Sequence, residues 1–196
     1  MAKITIYVPA VDDYRSQVLE KAIEMAKYNL NVDFDIYPID VRTDMILMRS
    51  FDAQELAKGL YDGGYNRDEV SIFFVRKDIK TADTNFCFGA TMGKTILLSD
   101  YRINHGCYSE AEKIAMLTYL IEHEIGHAFK AADDLHYGDG IYDIHCLNEN
   151  CVMQQVQCLD ELKDFAKRNM TCRGKYERGC FCPHCKKRFN RFYAAE

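Results

Sequence analysis

The chain has 196 residues, 48% of them hydrophobic, a formal net charge of -5 and a pI near 5.7. That length suits one compact domain with a sizeable core and room for a small appendage. The charge supplies no general attraction to nucleic acid or to an anionic membrane, and no apolar run is long enough to span a bilayer, so neither is an expected partner and a monomer is expected.

Lys3 to Val8 alternates like a strand and begins without the basic and apolar regions of a signal peptide, so a cytoplasmic location is expected. In that compartment the nine cysteines, an odd number, are reduced thiols or metal ligands rather than a disulfide framework. Asp12 or Asp13 then caps a helix carrying Val18, Leu19, Ala22, Ile23 and Ala26 on one face. Val32, Phe34 and Ile36 alternate as a second strand, Asp52 caps a short helix through Leu56 and Leu60, and Val70 to Val75 reads as a buried strand. This βαβαβ order predicts an α/β architecture with a mostly parallel sheet. Asn85 to Gly89 and Thr95 to Leu98 follow as short strands turned by Gly93, forming an antiparallel edge. Ser109 and Glu112 stand in capping-box spacing and open a helix through Ile114, Ala115, Leu117, Thr118 and Ile121. Beyond the turn Gly138-Asp139-Gly140 lies a cysteine-dense stretch in which only Leu159 to Met170 is helical again, too little to build a core of its own.

The helix opened by Ser109 reaches His123-Glu124-Ile125-Gly126-His127. Histidines four apart share a helix face, one turn apart, and can chelate one zinc ion. Glu124, one residue on, is rotated towards a water on that metal rather than towards the metal, which suits a general base. The pattern also arises by chance on helices whose histidines are merely buried or solvated, so its weight comes from context. That context is a second cluster: Cys182-Pro183-His184-Cys185 forms a knuckle, and Cys146 with Cys151 can complete a tetrahedral Cys₄ site of structural type, giving two zinc ions in all. Cys87, Cys107 and Cys158 are read as small buried hydrophobes. The basic run Lys186, Lys187, Arg188 and Arg191, interleaved with Phe189 and Phe192, is read as a solvated charged face.

On these residues the chain resembles the metzincins, and among them the archaemetzincins. That family carries HExxHxxGxxH followed directly by Cys, then x₄-C-x-M and later CxxC. Here HEIGH, His145-Cys146-x₄-Cys151-Val152-Met153 and Phe181-Cys182-Pro183-His184-Cys185 occur in that order, and Phe86 to Ala90 through Ser99 and Arg102 resembles the strand region before the active helix. The resemblance implies a metzincin-like fold: a twisted mixed sheet with flanking helices in an upper subdomain, 1–130, and a small zinc-stapled C-terminal subdomain, 131–196. It also implies a zinc metalloprotease acting on peptides, an edge strand around Asn85 to Ala90 that holds the substrate, and Met153 packed beneath the metal-binding histidines. Where some metzincins place a tyrosine near the metal this chain has Gln155.

Two departures stand out. The family's glycine is Lys130, expected to continue the helix for another turn, and its third histidine is Asp133, while His145 lies eighteen residues past His127; the CxxC is also further from Met153 than in the family. Asp133, His136 and His145 are all candidates for the third ligand, with His145 favoured because it keeps the Cys146-x₄-Cys151-x-Met153 surroundings. Two rival functions use the same residues: a non-catalytic zinc-binding interaction module, and a metal-dependent amidase on a small molecule.

Overall fold

Alternation along β1 (Ile4–Val8) puts Ile4 and Ile6, both fully buried, on one face of a sheet and Tyr7 on the other. The computed structural model describes residues 3–9, 14–40, 50–65, 69–82, 84–132, 145–146, 148–172 and 181–194. Around β1 the sheet runs β2-β1-β3-β7-β6, built from β2 (Phe34–Pro38), β3 (Val70–Val75), β6 (Gly89–Met92) and β7 (Thr95–Ser99). The first four strands are mutually parallel, and β6 is antiparallel to β7 at the end of the sheet. Every residue of β3 and β7 is buried, as the apolar run at 70–75 requires of a central strand.

Helices cover both faces. On the face of Ile4, Ile6, Ile72 and Phe74 lie α1 (Tyr14–Leu30) and the long α4 (Glu110–Ala128). The two helices are joined where Thr118 Oγ1 donates to the Ala22 carbonyl at 3.3 Å and Asn29 donates to Glu122. On the opposite face α2 (Ala53–Asp62) buries Leu56, Ala57 and Leu60 against Phe73, Val75 and Leu97. Asp52 caps α2 as expected, its Oδ1 accepting from Gln54 N and Glu55 N at 2.9 Å. The Asp12 and Asp13 candidates lie outside the described residues.

Two expectations are corrected here. Residues 85–89 are not one strand: β5 (Thr84–Cys87) pairs antiparallel with β4 (Ile79–Thr81) in a separate ribbon, the chain breaks at Phe88, and β6 alone joins the main sheet. Ile36 is 43% exposed, because β2 ends the sheet and only its Phe34 is buried.

Beyond α3 (Tyr101–His105) and α4, the C-terminal part contributes α5 (Leu159–Cys172) and α6 (Pro183–Ala194). Its described residues build no separate core: Val152, Met153, Leu162, Phe181 and Phe189 pack into the same cluster as Ile121 and Ile125. Phe189 of the basic run is therefore a core residue, 3% exposed and stacked on Phe181. Among the described residues no helix is long and apolar enough to cross a membrane.

Candidate metal centres and cleft

The capping box anticipated for α4 is present: Ser109 Oγ accepts from Glu112 N, and Glu112 accepts from Ser109 N at 2.8 Å. Lys163 of α5 ties the same carboxylate group at 2.9 Å, and these contacts hold Glu112 down to about 2. The helix so started delivers His123, Glu124 and His127 to the wall of a cleft of about 820 Å³.

His123 donates through Nδ1 to the Val152 carbonyl at 2.7 Å, which leaves its Nε2 bearing the lone pair. That atom lies 3.0 Å from His127 Nε2. The buried His145 ring completes the group, stacked on His123 at 5.1 Å and edge-on to His127 at 4.9 Å. One nitrogen from each of the three lies within 4.8 Å of the others. Ligands about 2.0–2.1 Å from a tetrahedral zinc stand about 3.3 Å apart, so the donor set fits that ion. Burial, then His123 and His145, holds His127 well below the ordinary histidine value, and neutral imidazole is the form that binds metal.

The four cysteines fit a second ion. Cys146, Cys151, Cys182 and Cys185 bring their sulfurs within 4.8 Å of one another. The Cys146 and Cys182 sulfurs are 3.7 Å apart, against about 3.8 Å for thiolates on a tetrahedral zinc at about 2.3 Å. Pro183 opens α6, where its missing N–H costs nothing, and so sets Cys182 just before the helix and Cys185 on its first turn. The Cys151 and Cys185 thiols hold Cys182 well below the usual thiol range, while Cys151 and Cys185 are themselves pushed up. Cys107 and Cys158 belong to neither site and are exposed, correcting their reading as buried hydrophobes: each lies in the chain just before a helix begins. Cys87 is half-buried on the cleft wall and pushed up to about 12, by burial first and then by the Glu124 charge.

A tight turn links the two groups. Gln154 N donates to the Cys151 carbonyl at 3.0 Å, and Cys146 N donates to the Met153 carbonyl at 2.7 Å. The turn carrying Met153 is thus tied to His145 through its neighbour Cys146, and to His123 through Val152. Met153 packs directly on α4, where a Cβ built on Gly126 would fall 2.2 Å from its sulfur.

Glu124 faces the edge strand. Thr91 Oγ1 of β6 donates to its Oε2 at 2.6 Å, and Oε1 lies against Gly89, where a side chain would come within 3.2 Å. Neither contact could be read from the sequence, since both depend on which edge of the sheet α4 approaches. Gln155 lines the cleft, whereas Tyr119, also on its wall, donates to the Gln154 carbonyl at 3.1 Å.

The end of α4 corrects the expectation for Lys130. The helix stops at Ala128, and Lys130 itself takes φ 50°, the left-handed conformation that usually calls for glycine. Ala131 N donates to the Gly126 carbonyl at 2.8 Å and Lys130 N to the His127 carbonyl at 3.0 Å, the bond pair of a Schellman cap. Arg188 of α6 donates to the Lys130 carbonyl at 3.1 Å and so secures the turn. The other third-ligand candidates, Asp133 and His136, lie outside the described residues, as does the Gly138-Asp139-Gly140 turn.

No family model and no curated protein matches the chain. Solved structures do. An archaemetzincin from Methanopyrus kandleri superposes with TM-score 0.66 at 16% identity, covering 98% of this chain and 96% of that one. A zinc-dependent peptidase from Methanocorpusculum labreanum gives 0.60 at 16%, over 95% and 100%. An archaemetzincin from Archaeoglobus fulgidus, solved with malonate, gives 0.57 at 19%, over 95% and 99%. The chain has an archaemetzincin-like fold.

Proposed function

We propose that the chain is a zinc metallopeptidase whose catalytic ion is held by His123, His127 and His145, with a structural zinc on Cys146, Cys151, Cys182 and Cys185. The observation that carries this reading is the convergence of three imidazoles beside Glu124, in a cleft bordered by an edge strand. The fold shared with a zinc-dependent peptidase supports it.

When bound, the catalytic ion supplies a Lewis acid that polarises the scissile carbonyl and acidifies a water. The rest of the work falls to the chain. Glu124 accepts a proton from the attacking water and passes it to the leaving amine. Thr91 fixes the carboxylate through Oε2, and Gly89 keeps side-chain bulk away from Oε1. The peptide lies extended along β6 and adds a strand to the sheet, held by main-chain hydrogen bonds. Neutral His127 and the Val152 bond to His123 keep the imidazoles in the protonation and orientation a metal needs.

Digestion of a peptide library by the zinc-loaded protein tests the reading. Cleavage that stops on chelation and in Glu124→Gln is expected. An intact library, or cleavage undiminished in Glu124→Gln, would count against it; hydrolysis confined to small-molecule amides would move the assignment to an amidase.

A further inference from the structure

The whole chain is acidic, yet the described lining of its cleft is not. Among the described residues lining the cleft, the side chains with full formal charges at neutral pH are Glu124, Lys130 and Arg188, so cations outnumber the carboxylate, and a bound Zn²⁺ adds to the excess. Phe86, Phe88, Leu120 and Val156 line the same space and lower the local dielectric, which strengthens and focuses that field.

Lys130 and Arg188 are held as a pair by the bond from Arg188 Nε to the Lys130 carbonyl. The backbone beneath this pair is strained, because Lys130 is a non-glycine residue in the left-handed region. Glycine would cap α4 in the same way without that strain. What lysine adds at this position is a cationic side chain, and Lys130 is one of the residues that line the cleft. Backbone strain of this kind persists where the strained residue is used.

We propose that Lys130 and Arg188 form a carboxylate-binding subsite through which the cleft selects peptides bearing a carboxylate near the bond to be cut. The inference rests on the peptidase reading and adds a substrate class to it. Arginine contributes a delocalised guanidinium charge and lysine a point charge, both of which attract a carboxylate. The carboxylate is either an acidic side chain or a chain terminus.

The test uses zinc-loaded Glu124→Gln protein, which retains the cleft without turnover, and fluorescent peptides of one sequence in four forms: glutamate or glutamine at one position, each with a free or amidated C-terminus. Polarisation titrations are expected to show binding about tenfold or more tighter for one carboxylate form than for the neutral peptide, with a preference that falls as salt is added. Whether amidation or the glutamine exchange abolishes it identifies the source. Lys130→Gly on this background is expected to melt at the same or a higher temperature, yet to reduce the preference below about threefold. Equal affinity for all four peptides, or an undiminished preference in Lys130→Gly, overturns the subsite. Failure of the parent protein to cleave peptides overturns the peptidase reading separately.

Discussion

Gly126 sits inside α4 between His123 and His127, and replacing it with alanine sets two physical effects against each other. Helix propensity alone favours alanine by about 1 kcal/mol. The surroundings oppose it: the new Cβ would fall 2.2 Å from the Met153 sulfur and 2.9 Å from Phe181 Cε1, far inside the roughly 3.5–4.0 Å of an ordinary contact. Met153 is fully buried and Phe181 is 4% exposed, so neither can swing into solvent. Overpacking of this kind costs about 1–3 kcal/mol, and a clash this deep places the cost near the upper end. Gly126→Ala is therefore expected to lose about 2 kcal/mol net, or about 4–8 °C in melting temperature for a domain of this size. A displaced Met153 also pulls on Cys146 and Val152, so zinc affinity should fall in the same variant. Thermal melting of the zinc-loaded protein with metal analysis checks both. A variant as stable as the parent would mean that helix propensity prevails and that the Met153 contact is not restrictive.

The metal sites carry further expectations. Mild chelation is expected to remove about one zinc together with activity and leave about one behind, because an open three-ligand site exchanges faster than a closed Cys₄ site; elemental analysis reads this, and a fully loaded protein with a single zinc would exclude the second site. Thr91→Val, which removes the hydroxyl bonded to Glu124 at 2.6 Å, should lower kcat by about tenfold or more at nearly constant KM, while Thr91→Ser restores it; equal kinetics in both variants would remove Thr91 from the mechanism. Cys182→Ser should lower melting temperature and activity together, since the Cys₄ group anchors the segment bearing His145, and parent-like values in both would contradict that coupling. Acid should destabilise the metal-free protein: with the folded His127 value below its unfolded value near 6.5, the unfolded chain binds the proton first, so stability is intact above about pH 6.5 and declines as pH falls towards the folded value. Urea unfolding of chelated protein at about pH 7.5 and 5.5 measures the decline, and His127→Gln should lessen it.

Much of this was legible in the sequence because it is local. The periodicity of Val18 to Ala26, the apolar run Val70 to Val75, the Asp52 cap and the Ser109–Glu112 capping box all act within a few residues of themselves, and each reappears in the fold. The grouping of four cysteines was legible because Cys182 and Cys185 stand in knuckle spacing and Cys146 with Cys151 offers a second pair. The sequence was silent where an outcome depended on what lies across space. Ile36 alternates correctly for a strand but lies at the sheet end, where nothing described buries it. Residues 85–89 have strand composition, yet which partner each half takes depends on β4 and β7. Lys130 misled because helix propensity favours lysine, whereas the turn is fixed by two backbone bonds to α4 and by Arg188, fifty-eight residues away.

Anomalous diffraction at the zinc edge, from crystals of the zinc-loaded protein, tests the central assignment most directly. Two peaks are expected: one bonded to nitrogens of His123, His127 and His145 at about 2.0–2.1 Å, the other inside the four cysteine sulfurs at about 2.3 Å. A catalytic-site peak bonded to Asp133 or His136, with His145 turned away, would contradict the assignment, and so would the absence of any peak beside Glu124.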